Sequence, residues 1–172
     1  NTINCINCME TEEGLLGQLE PFFVSNVEEV YLNTKNVKWE GVICFWKRCL
    51  DLLVGVESAE TKRRIRQRFL QECELQSKLR HPNVLQFIGL CRGENPFDVI
   101  MLTEHMCTDL DQYLRTHPPL ASFDMISILF DVSNGLRYLH SRDPPVAHRE
   151  LSARNVFLSA DMSRAKIGDL GV

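Results

Sequence analysis

Several features are missing from this chain of 172 residues, and each absence removes a class of function. No apolar run approaches the roughly 18 residues that a bilayer-spanning helix needs, and no basic-then-apolar leader is visible, so no membrane segment or signal peptide is expected. There is no internal repeat and no low-complexity tract. The net charge is only −4 at pH 7, which offers no basic field for nucleic acid or anionic lipid. Cysteine does not fall into the paired pattern of a zinc site or a disulfide scaffold. Cys5 and Cys8 form one C-x-x-C without a second pair, and Cys44, Cys49, Cys73, Cys91 and Cys107 are scattered. Several of these lie in apolar stretches, where free cysteine acts as a small core hydrophobe. The expected setting is reducing and cytoplasmic, with the intracellular part of a larger protein kept open. A content of 44% hydrophobic and 24% charged residues is that of one ordinary globular domain with a real core.

What is present centres on Val146-Ala147-His148-Arg149-Glu150-Leu151-Ser152-Ala153-Arg154-Asn155-Val156-Phe157-Leu158. Two short apolar runs flank a polar segment too short and too polar for a core helix, so it reads as a loop between strands. A carboxylate at Glu150 and a carboxamide at Asn155 stand five positions apart, and Asp169 follows eleven residues after Leu158. Such hard oxygen donors on adjacent strand ends suit Mg²⁺ held against substrate phosphates.

The rest of the chain fits around that loop. Residues 1–20 are polar and acidic without a sustained period and are expected to be mostly irregular. Strand formers dominate from Phe22 to Leu32, a turn follows at Asn33-Thr34-Lys35-Asn36, and Val42 to Trp46 reads as a second strand ending at Lys47. From Ala59 to Leu79 the period is helical, with Ser58 as N-cap. Ile65, Phe69, Gln76 and Leu79 share one stripe, and Glu72 falls inside it. A carboxylate on a largely inward face requires a cation. Val84 to Cys91 and Asp98 to Glu104 read as strands joined by a turn at 92–96. A short helix begins near Thr108 or Asp109. A long one, capped by Ser122, carries Met125, Leu129, Val132, Leu136 and Leu139 as its core stripe.

His148-Arg149-Glu150-Leu151-Ser152-Ala153-Arg154-Asn155 followed by Asp169-Leu170-Gly171 resembles the protein-kinase pattern H-R-D-L-x-x-x-N and D-F-G. Matching features run from about Val30 to Gly171. The resemblance implies an α+β fold: a five-stranded antiparallel small lobe with one main helix (21–104) and an incomplete, mainly helical large lobe (105–172). It implies ATP and Mg²⁺ as cofactors and a protein as substrate or partner. Lys47 would hold the α/β-phosphates and pair with Glu72, and Asn155 and Asp169 would bind the metal. Glu150 would take the substrate hydroxyl proton. Backbone groups of Glu104 and Met106 would bond the adenine, Thr103 would limit the pocket behind it, and Val30 would be the valine of the phosphate loop. Arg154, four positions after the base, tilts the reading to the tyrosine-kinase-like branch.

The chain departs from the pattern in named places. Glutamate replaces the catalytic aspartate, and with Val30 as reference the three loop glycine positions are Phe23, Ser25 and Glu28. The sequence starts at Asn1 rather than Met and stops at Val172, so the expectation is a fragment that expresses poorly. Two functions therefore stand side by side: a catalytic kinase domain, and a pseudokinase serving as a binding or scaffolding module.

Overall fold

The computed structural model describes residues 12–24, 27–29, 36–40, 42–92 and 98–171. Strands β1 (Val27–Glu29), β2 (Asn36–Trp39), β3 (Val42–Arg48), β4 (Phe87–Arg92) and β5 (Val99–Glu104) form a five-stranded sheet in the order β1-β2-β3-β5-β4. Every neighbouring pair is antiparallel. This is the α+β architecture expected from the sequence, with one main helix on the sheet. That helix, α2 (Ala59–Ser77), starts where Ser58 accepts a hydrogen bond from the Thr61 N–H. It buries Phe69, Leu70, Cys73 and Gln76 together with Glu72, so the stripe read from the periodicity is the face turned inward.

Below the sheet the chain forms a short strand β6 (Thr108–Asp109), then α3 (Leu110–Thr116) and α4 (Ser122–His140), then β7 (Val156–Leu158) and β8 (Ala165–Ile167). Strands β6, β7 and β8 make a second, three-stranded antiparallel sheet. Its hairpin packs Val156, Leu158 and Ile167 against Ile128 and Leu139 of α4 in one core cluster. Among the described residues no helix is long and apolar enough to cross a membrane. Of the cysteines described, Cys44, Cys49, Cys73 and Cys91 are buried free thiols and Cys107 is exposed. The Cys5/Cys8 pair lies outside the described residues.

Four sequence expectations are corrected. The acidic lead-in is not irregular throughout, because Glu12–Leu19 forms helix α1, whose Leu15 and Leu19 find a buried partner surface that local periodicity does not reveal. The strand expected from Phe22 to Leu32 is instead a 3₁₀ turn at Glu20–Phe22 and the short β1. Phe22 serves as a core ring, edge-on to Phe87 at 5.7 Å. Ser122 lies inside the first turn of α4; the N-cap is Ala121, which makes no side-chain cap. Finally, the α4 stripe buries only in its second half: Leu139 is 0% exposed and Val132 and Leu136 pack against the same cluster, whereas Met125 is 50% and Leu129 59% exposed and Ile128, outside the stripe, is 5% exposed.

Candidate active site

Lys47 sits on β3, whose neighbour β5 faces it at Met101, with Phe45 opposite Thr103. Residues two apart on a strand point to the same side, so Phe45 and Lys47 both line one cleft. From α2, Glu72 reaches over, and Lys47 Nζ donates to both its carboxylate oxygens at 3.0 Å. The same ammonium donates to Asp169 Oδ1 at 2.5 Å. The pair that the kinase resemblance implies is therefore formed, and a second carboxylate from 122 residues along the chain joins it.

The electrostatics follow from burial and charge count. Burial works against the Lys47 ammonium, but the carboxylates of Glu72 and Asp169 outweigh it and hold the pKa above the ordinary lysine value. Burial pushes the Glu72 carboxyl up to about 7, and Lys47 pulls it back only part of the way. One cation is shared by two acids, so the more buried acid is under-compensated.

Two loops meet beside this centre. Gly171 N–H donates to the His148 carbonyl and Gly168 N–H to the Asn155 carbonyl, each at 3.0 Å. The Asn155 amide donates to the Glu150 carbonyl at 2.8 Å. Arg149 (φ 64°) and Asp169 (φ 59°) both adopt the left-handed conformation, an uncommon state for non-glycine residues that the loop packing imposes. His148 is buried beneath the loop. Burial lowers its pKa below the usual histidine value, outweighing nearby backbone groups of His148 and Gly168 that favour the charged form.

The sequence-derived residues fall into connected cavities. Lys47, Asn155, Asp169 and Arg154 line a cleft of about 360 Å³ with Phe45, Thr103 and Phe157. It shares Phe45, Leu85, Thr103 and Phe157 with a cavity of about 160 Å³ that Glu104, Met106 and Cys107 also line. Glu150 lines a third space, about 320 Å³, together with Lys47, Glu72, Asp169 and Phe69. The Arg154 guanidinium lies 3.5 Å from Asp111 on α3. Val30 lies outside the described residues, and Glu28, read as a loop position, belongs to β1 opposite Lys38. The turn expected at Asn33-Thr34-Lys35-Asn36 lies outside the described residues but for Asn36, which opens β2.

Sequence reasoning missed the walls, Phe45, Leu85 and Phe157, and one ion pair. Lys166 of β8 donates to both Glu104 oxygens at 2.6 and 2.7 Å, while Glu104 Oε1 also accepts from the Gln86 N–H at 2.7 Å. The strand period of β3 was the available signal for Phe45; no local signal marks the Glu104–Lys166 pair.

Residues 42–172 match the family described as protein tyrosine and serine/threonine kinase. The chain belongs to the protein kinase family. Its kinase relatives include serine/threonine-protein kinase VIK of Arabidopsis thaliana, 33% identical over 136 residues that cover 78% of this chain and 29% of that protein. The probable serine/threonine-protein kinase drkC of Dictyostelium discoideum is 30% identical over 182 positions, covering 95% of this chain and 22% of that protein. Human serine/threonine-protein kinase WNK4 is 34% identical over 122 residues, covering 68% and 10% respectively. The chain spans less than a third of the length of each of these kinases.

Proposed function

We propose that this kinase domain uses ATP and Mg²⁺ to transfer a phosphoryl group to a protein hydroxyl. The observation that supports the reading most directly is the Lys47 ammonium, braced by Glu72 and Asp169 at a cleft continuous with the Thr103–Cys107 strand end. Phosphoryl transfer needs positioning and charge neutralisation rather than covalent help from the protein. Lys47 supplies a fixed positive charge for the α/β-phosphates, and Glu72 holds it in place. The Glu104 N–H is committed to the Gln86 carbonyl at 2.9 Å, which leaves the Glu104 carbonyl and the Met106 backbone for the adenine edge. Thr103, 3% exposed, limits the depth behind it.

Asn155 and Asp169 fit a magnesium site. The Asn155 amide nitrogen is engaged with the Glu150 carbonyl, so its oxygen is the atom left to ligate. One amide oxygen and one carboxylate, completed by phosphate oxygens, form the donor set that this ion accepts. When bound, Mg²⁺ neutralises charge on the β- and γ-phosphates. Glu150 is exposed at the loop and is the group positioned to accept the hydroxyl proton. The names of the relatives favour serine or threonine as acceptor. The tyrosine-like reading rests on Arg154 alone, whose pairing with Asp111 ties that guanidinium to α3.

A second reading, the pseudokinase module, is favoured by two observations. The chain carries no glycine from residue 18 to 40, so side chains stand where backbone N–H groups would approach phosphate. The Glu150 side chain also rests against Gly171, where an added Cβ would lie 2.6 Å from Glu150 Cγ.

Thermal denaturation of the chain with and without Mg²⁺-ATP separates these readings. At about 100 times Kd, bound nucleotide stabilises by about 2.7 kcal/mol, which at this size raises Tm by roughly 5–10 °C. The shift is expected in the parent chain and absent in Lys47→Ala. No shift at millimolar nucleotide would remove the catalytic reading. If the shift is present, Glu150→Asp should raise phosphoryl transfer by up to the order of 10²-fold, the cost of a carboxylate displaced by about 1 Å. A thermal shift with no transfer by either variant supports the binding module.

A further inference from the structure

The segment 12–24 precedes residues 42–172, which match the kinase family, yet it is built into the core. Leu15 and Leu19 stand four apart on α1, hence on one face, and both are 0% exposed. They share a core cluster with Phe69, Leu70 and Cys73 of α2 and with Cys49, two residues beyond Lys47. The chain then runs onto the sheet. Val24 N–H donates to the Leu90 carbonyl at 2.8 Å. Arg92 bonds the Glu20 carboxylate at 2.7 Å and lies 4.2 Å over the Phe23 ring. Gly89 permits this approach, because a Cβ there would lie 2.8 Å from Val24 Cγ1 and 3.2 Å from the Phe22 carbonyl.

The contacts of α1 bracket the acid of the candidate site. Phe69, Leu70 and Cys73 surround Glu72 in sequence, and Phe69 lines the space that Lys47, Glu72 and Asp169 also line. Burying a carboxylate is costly unless its cation is held close, so the position of α2 needs apolar support from the residues that flank Glu72. Helix α1 has eight residues, one of them Gly17, too short to persist alone in water. It is helical because it is docked, so the contacts of Leu15 and Leu19 and the placement of α2 depend on one another.

We infer that the strap 12–24 is a positioning device in which Leu15 and Leu19, through α2, hold Glu72 against Lys47. The inference rests on the proposed role of that pair in organising the nucleotide cleft. The experiment that tests it needs no nucleotide. In the full chain, Lys47 is acylated with an amine-reactive ester, and its labelling relative to the exposed Lys78 is read by mass spectrometry. An ammonium clamped by two carboxylates reacts slowly. The double variant Leu15→Ala/Leu19→Ala should raise relative Lys47 labelling about 5-fold or more, the lower end of ordinary intramolecular coupling. Leu139→Ala, a similar truncation in the other core cluster, should leave it unchanged.

Gly17→Ala guards against a double variant that fails to fold. A Cβ at Gly17 meets nothing within 4 Å, so alanine favours the helix and should lower Lys47 labelling. Unchanged labelling in the folded double variant, an equal rise in Leu139→Ala, or no fall in Gly17→Ala would each overturn the strap. A parent chain that ignores Mg²⁺-ATP but shows the labelling pattern would remove the nucleotide reading and leave the strap standing.

Discussion

At Lys47 one ammonium serves two acids, and the imbalance explains the electrostatics of the cleft. Glu72, 6% exposed, bears the larger desolvation cost, which is why its carboxyl rises to about 7 while Lys47 stays charged. His148 presents the opposite case of a base buried neutral. Its folded pKa lies below the ordinary 6.5, so the unfolded chain takes up the proton first. The stability that His148 contributes is therefore full above about pH 6.5 and is lost as pH falls below it. Glu72, raised to about 7, works the other way, because the folded chain takes up its proton first as pH falls. Between about pH 7.5 and about pH 5.5 the urea midpoint of His148→Phe should therefore rise relative to that of the parent chain. At this scale the need of Glu72 for a cation was legible from an acid on an apolar stripe, and the kinase resemblance named Lys47 as its partner. The Asp169 contact and the Arg154–Asp111 pair were not, since neither partner lies on a shared local element.

Among the elements, helix starts show how far local chemistry reaches. The short helix expected to begin near Thr108 or Asp109 is α3, and the Asp109 carboxylate caps it by accepting the Gln112 N–H at 2.8 Å. Ser122 before an apolar run reads as a cap for α4, but the helix starts one residue earlier and Ala121 accepts the Met125 N–H through its carbonyl. Asp109→Ala should cost about 1 kcal/mol and Ser122→Ala close to nothing, as read from denaturant midpoints. The buried face of α4 shows a second limit. Helical period identified the helix, but adjacent apolar residues such as Ile128 and Leu129 offer two faces. Gly135 selects between them: a Cβ there would lie 2.6 Å from the Asn83 carbonyl and 3.0 Å from Ile167 Cδ1, so the helix can approach the hairpin only along that side.

Over the whole molecule, the other side of α4 is left bare. Phe123 is 79%, Ile126 66%, Leu129 59% and Phe130 66% exposed, a clustered apolar surface of the kind that drives association. Light scattering should show concentration-dependent self-association of this chain. Ile126→Glu/Phe130→Glu should reduce it while leaving the Mg²⁺-ATP thermal shift intact, because neither residue lines the cleft. Association that persists unchanged in the double variant would place the sticky surface elsewhere.

The sequence by itself determined the kinds of element, most of their order, the need of Glu72 for a cation and the loop chemistry around Glu150 and Asn155, with Lys47 named as partner by the family resemblance. Strand and helix periods, caps and turn residues act over a few positions, so they can be read locally. Tertiary structure alone decided that Ile128 rather than Met125 and Leu129 is buried in the first half of α4, that α1 forms and docks against α2, that Asp169 closes on Lys47, and that Arg154 turns to Asp111. Each of these depends on surfaces brought together by closing long stretches of chain, and no local period encodes the partner.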